Sequence, residues 1–541
     1  MNWWQESVVY QIYPRSFKDS NNDGIGDLQG IISKLAYLEH LGIDVIWLSP
    51  VYESPNEDNG YDISDYFSIM KDFGSMADMD ELISEAKNHG ISIVMDFVAN
   101  HTSKDHAWFK SALGNQNSPY RSYYVFKPNL GHVPSELQSI FLGSAWELDQ
   151  NSDSYYLHLF AKGQPDLNWH HQPVREDLYK MLNWWLEKGI KGFRFDVIDL
   201  IAKEVDKDII ADGPKLHEYI HEMNRATFSQ FDVLTVGETW GATAEKAKQY
   251  SNLDGSEFSM IFNFSHILLD SEPGKEKWDM IPLDLLRLKK VLQEQQVELY
   301  QKGWNSLFWN NHDLPRIVSR WGNDQEYRVE SAKMLGTLLH FMQGTPYIYQ
   351  GEELGMTNVK FEDLSSYRDI ETLNMAKTRT EKGISFAKIM DSIYKVGRDN
   401  ARTPFPWSND VYGGFSVVQP WLDINPNYLL INAQEQMGRL DSVYEYYRTL
   451  ILFRRKGPYR ELIREGKFEL LYPDHPDLFA YRRAWKNEVI CVYCNFHSGL
   501  IHLDEFVDEN AVLLSNYKNV DNDNGLNLRP YEAIVFVGKR E

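Results

Sequence analysis

The sequence predicts an α/β chain: a (β/α)8 barrel with a loop-rich insertion after its third strand and a C-terminal antiparallel β-sandwich. Three observations point there. Eight short, nearly continuous apolar runs alternate with helix-length segments between Val8 and Gln350. Runs of that kind belong to parallel strands buried on both faces by crossover helices, and eight of them make a closed barrel. The alternation lapses between His101 and about Trp169, where Asn, Ser, Tyr and Gly are frequent, and again beyond about Tyr459, where short strands follow one another between turns. The expected domains are therefore a barrel over 1–101 plus 170–459, an inserted domain over 102–169 and a sandwich over 460–541.

The elements read in order. Val8–Ile12 is the first strand, Leu28–Leu41 a helix, and Asp44–Pro50 the second strand. The loop Asn59-Gly60-Tyr61-Asp62 and a helix around Met79–Asn88 precede the third strand, Ile91–His101. The fourth strand begins tightly at Gly192 and carries Phe193, Phe195 and Val197 in alternation with Arg194, Asp196 and Ile198. Leu234–Glu238, Phe258–Phe262, Ser306–Asn310 and Pro346–Gln350 complete the set. In the C-terminal part, Phe468–Leu471, Leu478–Tyr481, Val489–Val492, Val512–Leu514 and Ala533–Phe536 read as sandwich strands.

A chain of 541 residues is too long for one core. Lys and Arg number 55 against 78 Asp and Glu, a net charge of −23. That balance disfavours nucleic acid, anionic membranes and polyphosphates as partners. Aromatic residues, 14% of the chain, suit rings that stack on flat ligands. Met1–Glu6 lacks the basic and apolar regions of a secretory signal, and there is no apolar run of membrane-spanning length, so a cytoplasmic monomer is expected. The two cysteines, Cys491 and Cys494, fall on opposite faces of one strand and are expected as thiols.

Two stretches carry chemistry. Asp19 to Asp27 places oxygen side chains at alternate positions around Gly24, the pattern of a calcium loop. Asp19, Asn21, Asp23 and Asp27 offer side-chain oxygens and Ile25 its carbonyl; the glutamate that completes an EF-hand is missing, so a structural Ca2+ of another type is expected. The second stretch is Arg194-Phe195-Asp196, two charges on one face of a buried strand. Buried charges are paired or functional, and the arginine can hold the aspartate ionised as a nucleophile requires. Functional residues of a barrel lie at the C-terminal ends of strands. Asp96, His101, Asp196, Glu238, His312 and Asp313 all fall there, with the acids Asp196, Glu238 and Asp313 on strands four, five and seven. Paired carboxylates among aromatic walls suggest cleavage of a glycosidic bond.

These segments resemble the α-amylase superfamily, glycoside hydrolase family 13, over nearly the whole chain. The resemblance lies in Asp96-Phe97-Val98-Ala99-Asn100-His101, Gly192-Phe193-Arg194-Phe195-Asp196, Glu238 after Val236-Gly237, Asn310-Asn311-His312-Asp313, and a fifth segment, Gln164-Pro165-Asp166-Leu167-Asn168-Trp169. Within the family it is most similar to the oligo-1,6-glucosidase branch and its glucan 1,6-α-glucosidases. The resemblance implies that Asp196 is the nucleophile and Glu238 the acid and base, about 5–5.5 Å apart as in retaining enzymes. It implies a raised proton affinity for Glu238, with Arg194 keeping Asp196 charged. It gives Asp313 the transition state, His101 and His312 the sugar hydroxyls, Tyr61 a stacking face, and Asp62 and Arg402 the grip on a terminal glucose. Trp240 and Lys277 would line the next subsite, and Phe141 and Gln164 would also touch substrate. Val197, after the nucleophile, matches the residue that accompanies α-1,6 linkages. One departure is Phe405-Pro406-Trp407, where relatives carry Met-Gln-Trp; beside Arg402, it is expected to reshape the pocket wall.

The implied substrate is a small α-1,6-linked gluco-oligosaccharide, cut from its non-reducing end. Trehalose-6-phosphate hydrolases share the motifs but need added cations for the phosphate. Transglycosylases and sucrose isomerases share the fold. Catalytically dead partner subunits of transporters lack the acids and carry a membrane helix.

Overall fold

A computed structural model describes residues 2–539. Eight parallel strands form the barrel: β1 (Val9–Ile12), β2 (Val45–Leu48), β3 (Ser92–Val98), β4 (Gly192–Asp196), β5 (Leu234–Thr239), β6 (Met260–Asn263), β7 (Ser306–Leu307) and β8 (Thr345–Tyr349). Their order is β6-β5-β4-β3-β2-β1-β8-β7, and a parallel bridge from Ile261 to Asn305 closes the ring. Strands β1, β2, β4, β5, β6 and β8 are buried at every residue, as strands covered by helices outside and packed side chains inside must be. Gly192 adopts φ +145°, and a Cβ there would lie 1.7 Å from the Leu234 carbonyl oxygen. Only glycine lets β4 start this close to β5.

The structure departs from expectation in two elements. The expected helix Leu28–Leu41 is two, α1 (Leu28–Ile32) and α2 (Leu35–Leu41). They part where the Ser33 hydroxyl donates to the Gly30 carbonyl and Lys34 leaves helical geometry at φ −115°, ψ 5°. Strand β7 keeps two of its five expected residues. Leu307 lies opposite Pro346, which has no N–H to continue the ladder.

Between β3 and β4 the chain makes its excursion. Phe126–Pro128 and Trp146–Asp149 flank Ser154–Leu157 in a small antiparallel sheet. A bridge from His101 to Asp166 ties the excursion back to the end of β3. At the C-terminus, β9 (Lys467–Leu471), β10 (Leu478–Trp485), β11 (Glu488–Asn495), β12 (Val512–Ser515) and β13 (Ala533–Lys539) form one antiparallel sheet in the order β9-β10-β11-β13-β12. A second layer, Ile501–Leu503 paired with Leu526–Leu528, escaped the sequence reading. Leu478, Tyr493 and Ile534 pack against Leu503, Leu526 and Leu528 between the layers. Cys491 and Cys494 are both free thiols.

Behind β8, two glutamates are buried in series. Glu353 accepts hydrogen bonds from Tyr10 at 2.8 Å and Tyr37 at 2.7 Å. Glu352 accepts one from Tyr447 at 3.0 Å, and its other oxygen has no donor. Burial pushes the Glu352 carboxyl up to about 8. A carboxyl whose proton is held more tightly in the folded than in the unfolded chain costs stability as pH rises from the unfolded value, about 4.3, to the folded one. Glu352→Gln should therefore raise the melting temperature at pH 8, corresponding to about 2–4 kcal/mol, and leave it unchanged near pH 4. Melting curves at the two pH values check this.

Candidate active site

The C-terminal ends of β3, β4 and β5 converge on one guanidinium. Arg194 on β4 is 1% exposed. Its Nη1 reaches Asp96 at 2.7 Å and Asp196 at 2.6 Å, and its Nη2 reaches Glu238 at 2.6 Å. Strand register makes this possible. Asp96 lies opposite Arg194, and Gly237 opposite Phe195, which sets Glu238 level with Asp196. Trp47 Nε1 and the Tyr61 hydroxyl both donate to Asp96, at 3.1 and 2.9 Å. Glu238 accepts the Val197 N–H at 3.0 Å and Trp240 Nε1 at 3.2 Å.

Arg194 does not serve Asp196 alone, as the sequence suggested. Burial pushes the Asp196 carboxyl well above the carboxylate range; Arg194 pulls it back, and Glu238 and Asp96 push it further up. Three carboxylates against one guanidinium leave the buried Asp196 carboxyl only partly compensated. Val197 follows in a left-handed conformation, φ 36°, ψ 48°, which a β-branched residue rarely adopts. The turn aims its N–H at Glu238, and its side chain joins Ala145, Trp146, Leu157, Leu159 and Leu200 in an apolar cluster. The barrel strand that carries Asp196 is thereby fastened to the excursion.

Asp313 forms a second centre. Its carboxylate meets Arg402 at 2.8 Å, Arg398 at 3.2 Å and His312 Nε2 at 3.0 Å. Burial opposes its ionisation, but His312, Arg398 and Arg402 together hold it well below the usual range. Gln11 Nε2 donates to His312 Nδ1 at 2.8 Å, which leaves the ring proton on Nε2, facing Asp313. The His312 ring lies between Tyr61, stacked at 5.1 Å, and Tyr13 at 6.0 Å. His101 donates to the Tyr61 carbonyl at 3.1 Å, and burial pushes it down to about 4, so it is neutral. Gln164 reaches Asp58 at 3.1 Å, and Phe141 packs under the Arg398 guanidinium at 5.1 Å. Exposure rises from 1% at Arg402 to 20% at the Asp313 side chain and 36% at Trp240, which marks the mouth. Trp240 stacks on Phe264 at 4.0 Å. Lys277 is held by Glu371 at 2.5 Å.

Two expectations are corrected. Asp62 does not face the site: it is fully buried and accepts from Ser54 at 3.0 Å, Glu57 N–H at 2.8 Å and Asp58 N–H at 3.1 Å, closing its own turn. Asp58, four residues earlier, lies 3.3 Å from Arg398 instead. Phe405 does not line the wall either. It is buried among Phe17, Tyr37 and Trp407, in the core beneath α2. Sequence reasoning also missed Arg398, Asp369 and Glu371. Arg398 bonds Asp369 at 2.6 Å and lies 3.5 Å from Glu371; its place one helical turn before Arg402 was the available signal.

The loop Asp19–Asp27 lies between β1 and α1. Asp19 accepts the N–H groups of Asn21, Asn22 and Gly24, and Asp27 caps α1 through Gly30 and accepts from Ser20. Asn21 and Asp23 each accept the N–H two residues on. Among the described residues no three His, Cys, Asp or Glu side chains surround a metal-sized point. The loop's donors are all oxygen, the chemistry of a hard cation, with Asn21 and the Ile25 carbonyl needed beside the three aspartates.

The α-amylase catalytic domain profile matches residues 11–465. The oligo-1,6-glucosidase of Bacillus cereus is 50% identical, with 99% of each chain covered. The glucan 1,6-alpha-glucosidase of Streptococcus pneumoniae is 55% identical over 95% of each. The crystal structure of Bacillus licheniformis trehalose-6-phosphate hydrolase superposes with a TM-score of 0.94 at 44% identity, covering both chains in full.

The Asp62 correction has a direct check. Asp62→Ala strands three donors, those of Ser54 and Asp58 buried, and should lower stability by about 1–3 kcal/mol, read as a fall in melting temperature. Asp58→Asn, which keeps its shape beside Gln164, should not.

Proposed function

The chain belongs to the α-amylase family, glycoside hydrolase family 13, and on that footing we propose that it is an exo-acting, retaining α-glucosidase that releases glucose from α-1,6-linked gluco-oligosaccharides. The observation that carries the reading is the pair of carboxylates, Asp196 and Glu238, set level on adjacent strands and bridged by Arg194. In this reading Asp196 attacks the anomeric carbon while Glu238 gives its proton to the departing glycosidic oxygen. The C–O bond to the leaving sugar breaks as the glucosyl ester with Asp196 forms. Glu238, now a carboxylate, takes a proton from water, whose oxygen attacks the same carbon and frees Asp196. Two inversions retain the α configuration. Asp313, held ionised, stabilises positive charge on the sugar ring in both transition states.

The α-1,6 preference is supported by relatives near half identity over nearly the full chain that are oligo-1,6-glucosidases and a glucan 1,6-alpha-glucosidase. The trehalose-6-phosphate reading has support from a Bacillus subtilis relative at 46% identity and from the Bacillus licheniformis structure at 44%. The cations at the site disfavour it. Arg194, Arg398, Arg402 and Lys277 are each engaged by carboxylates already, and a phosphate would have to compete for them. Among the described residues no helix is long and apolar enough to cross a membrane, and all three acids are present, unlike a dead transporter subunit.

Asp196→Asn and Glu238→Gln should each lower kcat/KM for isomaltose by roughly three orders of magnitude or more with the melting temperature retained. A variant keeping a tenth of wild-type activity would overturn the roles, and a higher kcat/KM for trehalose-6-phosphate than for isomaltose would replace the substrate.

We also propose that the Asp19–Asp27 loop holds one structural calcium ion, remote from the chemistry. Its support is the all-oxygen donor set around two carboxylates, Asp19 and Asp27, that are nearly fully buried at the two ends of the loop. A ligand bound only by the folded state raises stability by mass action. Calcium should raise, and a chelator lower, the melting temperature by a few degrees; a value indifferent to both would refute the site.

A further inference from the structure

Strand register sets Thr239, the last residue of β5, opposite Asn263, the last of β6. The next residue on each strand, Trp240 and Phe264, therefore leave the barrel side by side. Their rings stack with centroids 4.0 Å apart and 12° between planes. Phe264 is fully buried, and Phe308, just past β7, meets it edge-on at 5.2 Å. The Thr239 hydroxyl donates to the Phe262 carbonyl at 3.1 Å, which ties the two strand ends together beneath the rings. Trp240 is the partly exposed member of this stack. A fixed ring covers one face of its indole and leaves the rest toward the mouth.

The same indole reaches the acid. Trp240 Nε1 donates to Glu238 Oε1 at 3.2 Å. Glu238 Oε2 already accepts from Arg194 at 2.6 Å and from the Val197 N–H at 3.0 Å. Oε1 is therefore the oxygen open to a departing sugar. Once it has given up its proton, the indole is the donor at hand for the charge left behind, and a hydrogen bond to a charged acceptor is the stronger kind. That aim depends on the plane of the indole. A partly exposed side chain keeps one plane only if something fixes it, and an offset aromatic stack does so without a polar group.

We infer that Phe264 is a positioning residue for proton transfer to the leaving sugar: it seats Trp240 in the plane from which Nε1 meets Glu238 and the ring borders the leaving group. The inference rests on the reading of Glu238 as proton donor. Phe264 has no polar atom to offer and acts through Trp240.

The test compares two substrates. α-Glucosyl fluoride places no sugar in the leaving position, and fluoride departs with little help from an acid; isomaltose needs both the leaving-sugar site and the proton. Phe264→Leu keeps an apolar filling without a flat face. It should lower kcat/KM for isomaltose about tenfold and leave that for glucosyl fluoride within about twofold. Trp240→Ala should lose more on isomaltose, and adding Phe264→Leu to it should cost little further, because a seat without its occupant has nothing to hold. Equal losses on the two substrates, an unchanged isomaltose rate, or losses that multiply in full in the double variant would each overturn the inference. Phe264→Met carries the comparison should the leucine variant fail to fold. A wild type that releases glucose from neither substrate would instead overturn the reading of the function.

Discussion

One buried guanidinium holds the catalytic end of the barrel together. Arg194 takes three carboxylates from three successive strands, and each of those strands has its register to its neighbour expressed in that contact. A guanidinium is suited to this, because its planar fork presents several donors at fixed angles where an ammonium would be a single point. The charges are unequal, three acids to one base, and with burial the imbalance pushes the Asp196 carboxyl above the usual range. An acid–base pair needs that excess. A site in which every charge was matched would bind its residues more tightly and have no proton to give.

The second centre solves a different problem. Asp313 is ringed by two arginines and a histidine, so its charge is favoured where that of Asp196 is opposed. The two environments drive neighbouring carboxyls in opposite directions, which is how one cavity supports both proton transfer and charge stabilisation. Tyr61 links the two centres: its hydroxyl donates to Asp96 in the first and its ring stacks on His312 in the second.

Much of this was legible in the sequence, and the reasons are physical. Apolar runs report parallel strands because both faces are covered, and strand ends report chemistry because the barrel leaves its loops there. What escaped depended on turns and on distant chain. Asp58 and Asp62 stand four residues apart in one loop, and pattern alone cannot say which turns inward. The choice is made by Asn59 and Gly60, both at positive φ, which fold the loop over Asp62 and leave Asp58 facing Arg398. Asp369 and Glu371 sit at the start of a helix, with nothing local to mark them. The second sandwich layer is two strands of three residues, shorter than a periodicity can reveal.

The floor of the site is drawn from chain that is far apart in sequence. Arg398 meets Asp58 across 340 positions, and Gln11 meets His312 across 301. During synthesis the chain therefore acquires Asp196 and Glu238 long before it acquires the residues that enclose the sugar. No stretch that stops short of residue 402 can assemble the arginines that hold Asp313. Arginine 454 and the β9–β13 sheet then lock against the barrel from outside, through Arg454 to the carbonyl of Met342 and Tyr481 to that of Leu338. Long-range contacts of this kind are the last to be gained and slow the search for them. A newborn chain thus carries Asp196 and Glu238 in an unfinished vessel, which cannot close before Arg402 has been added.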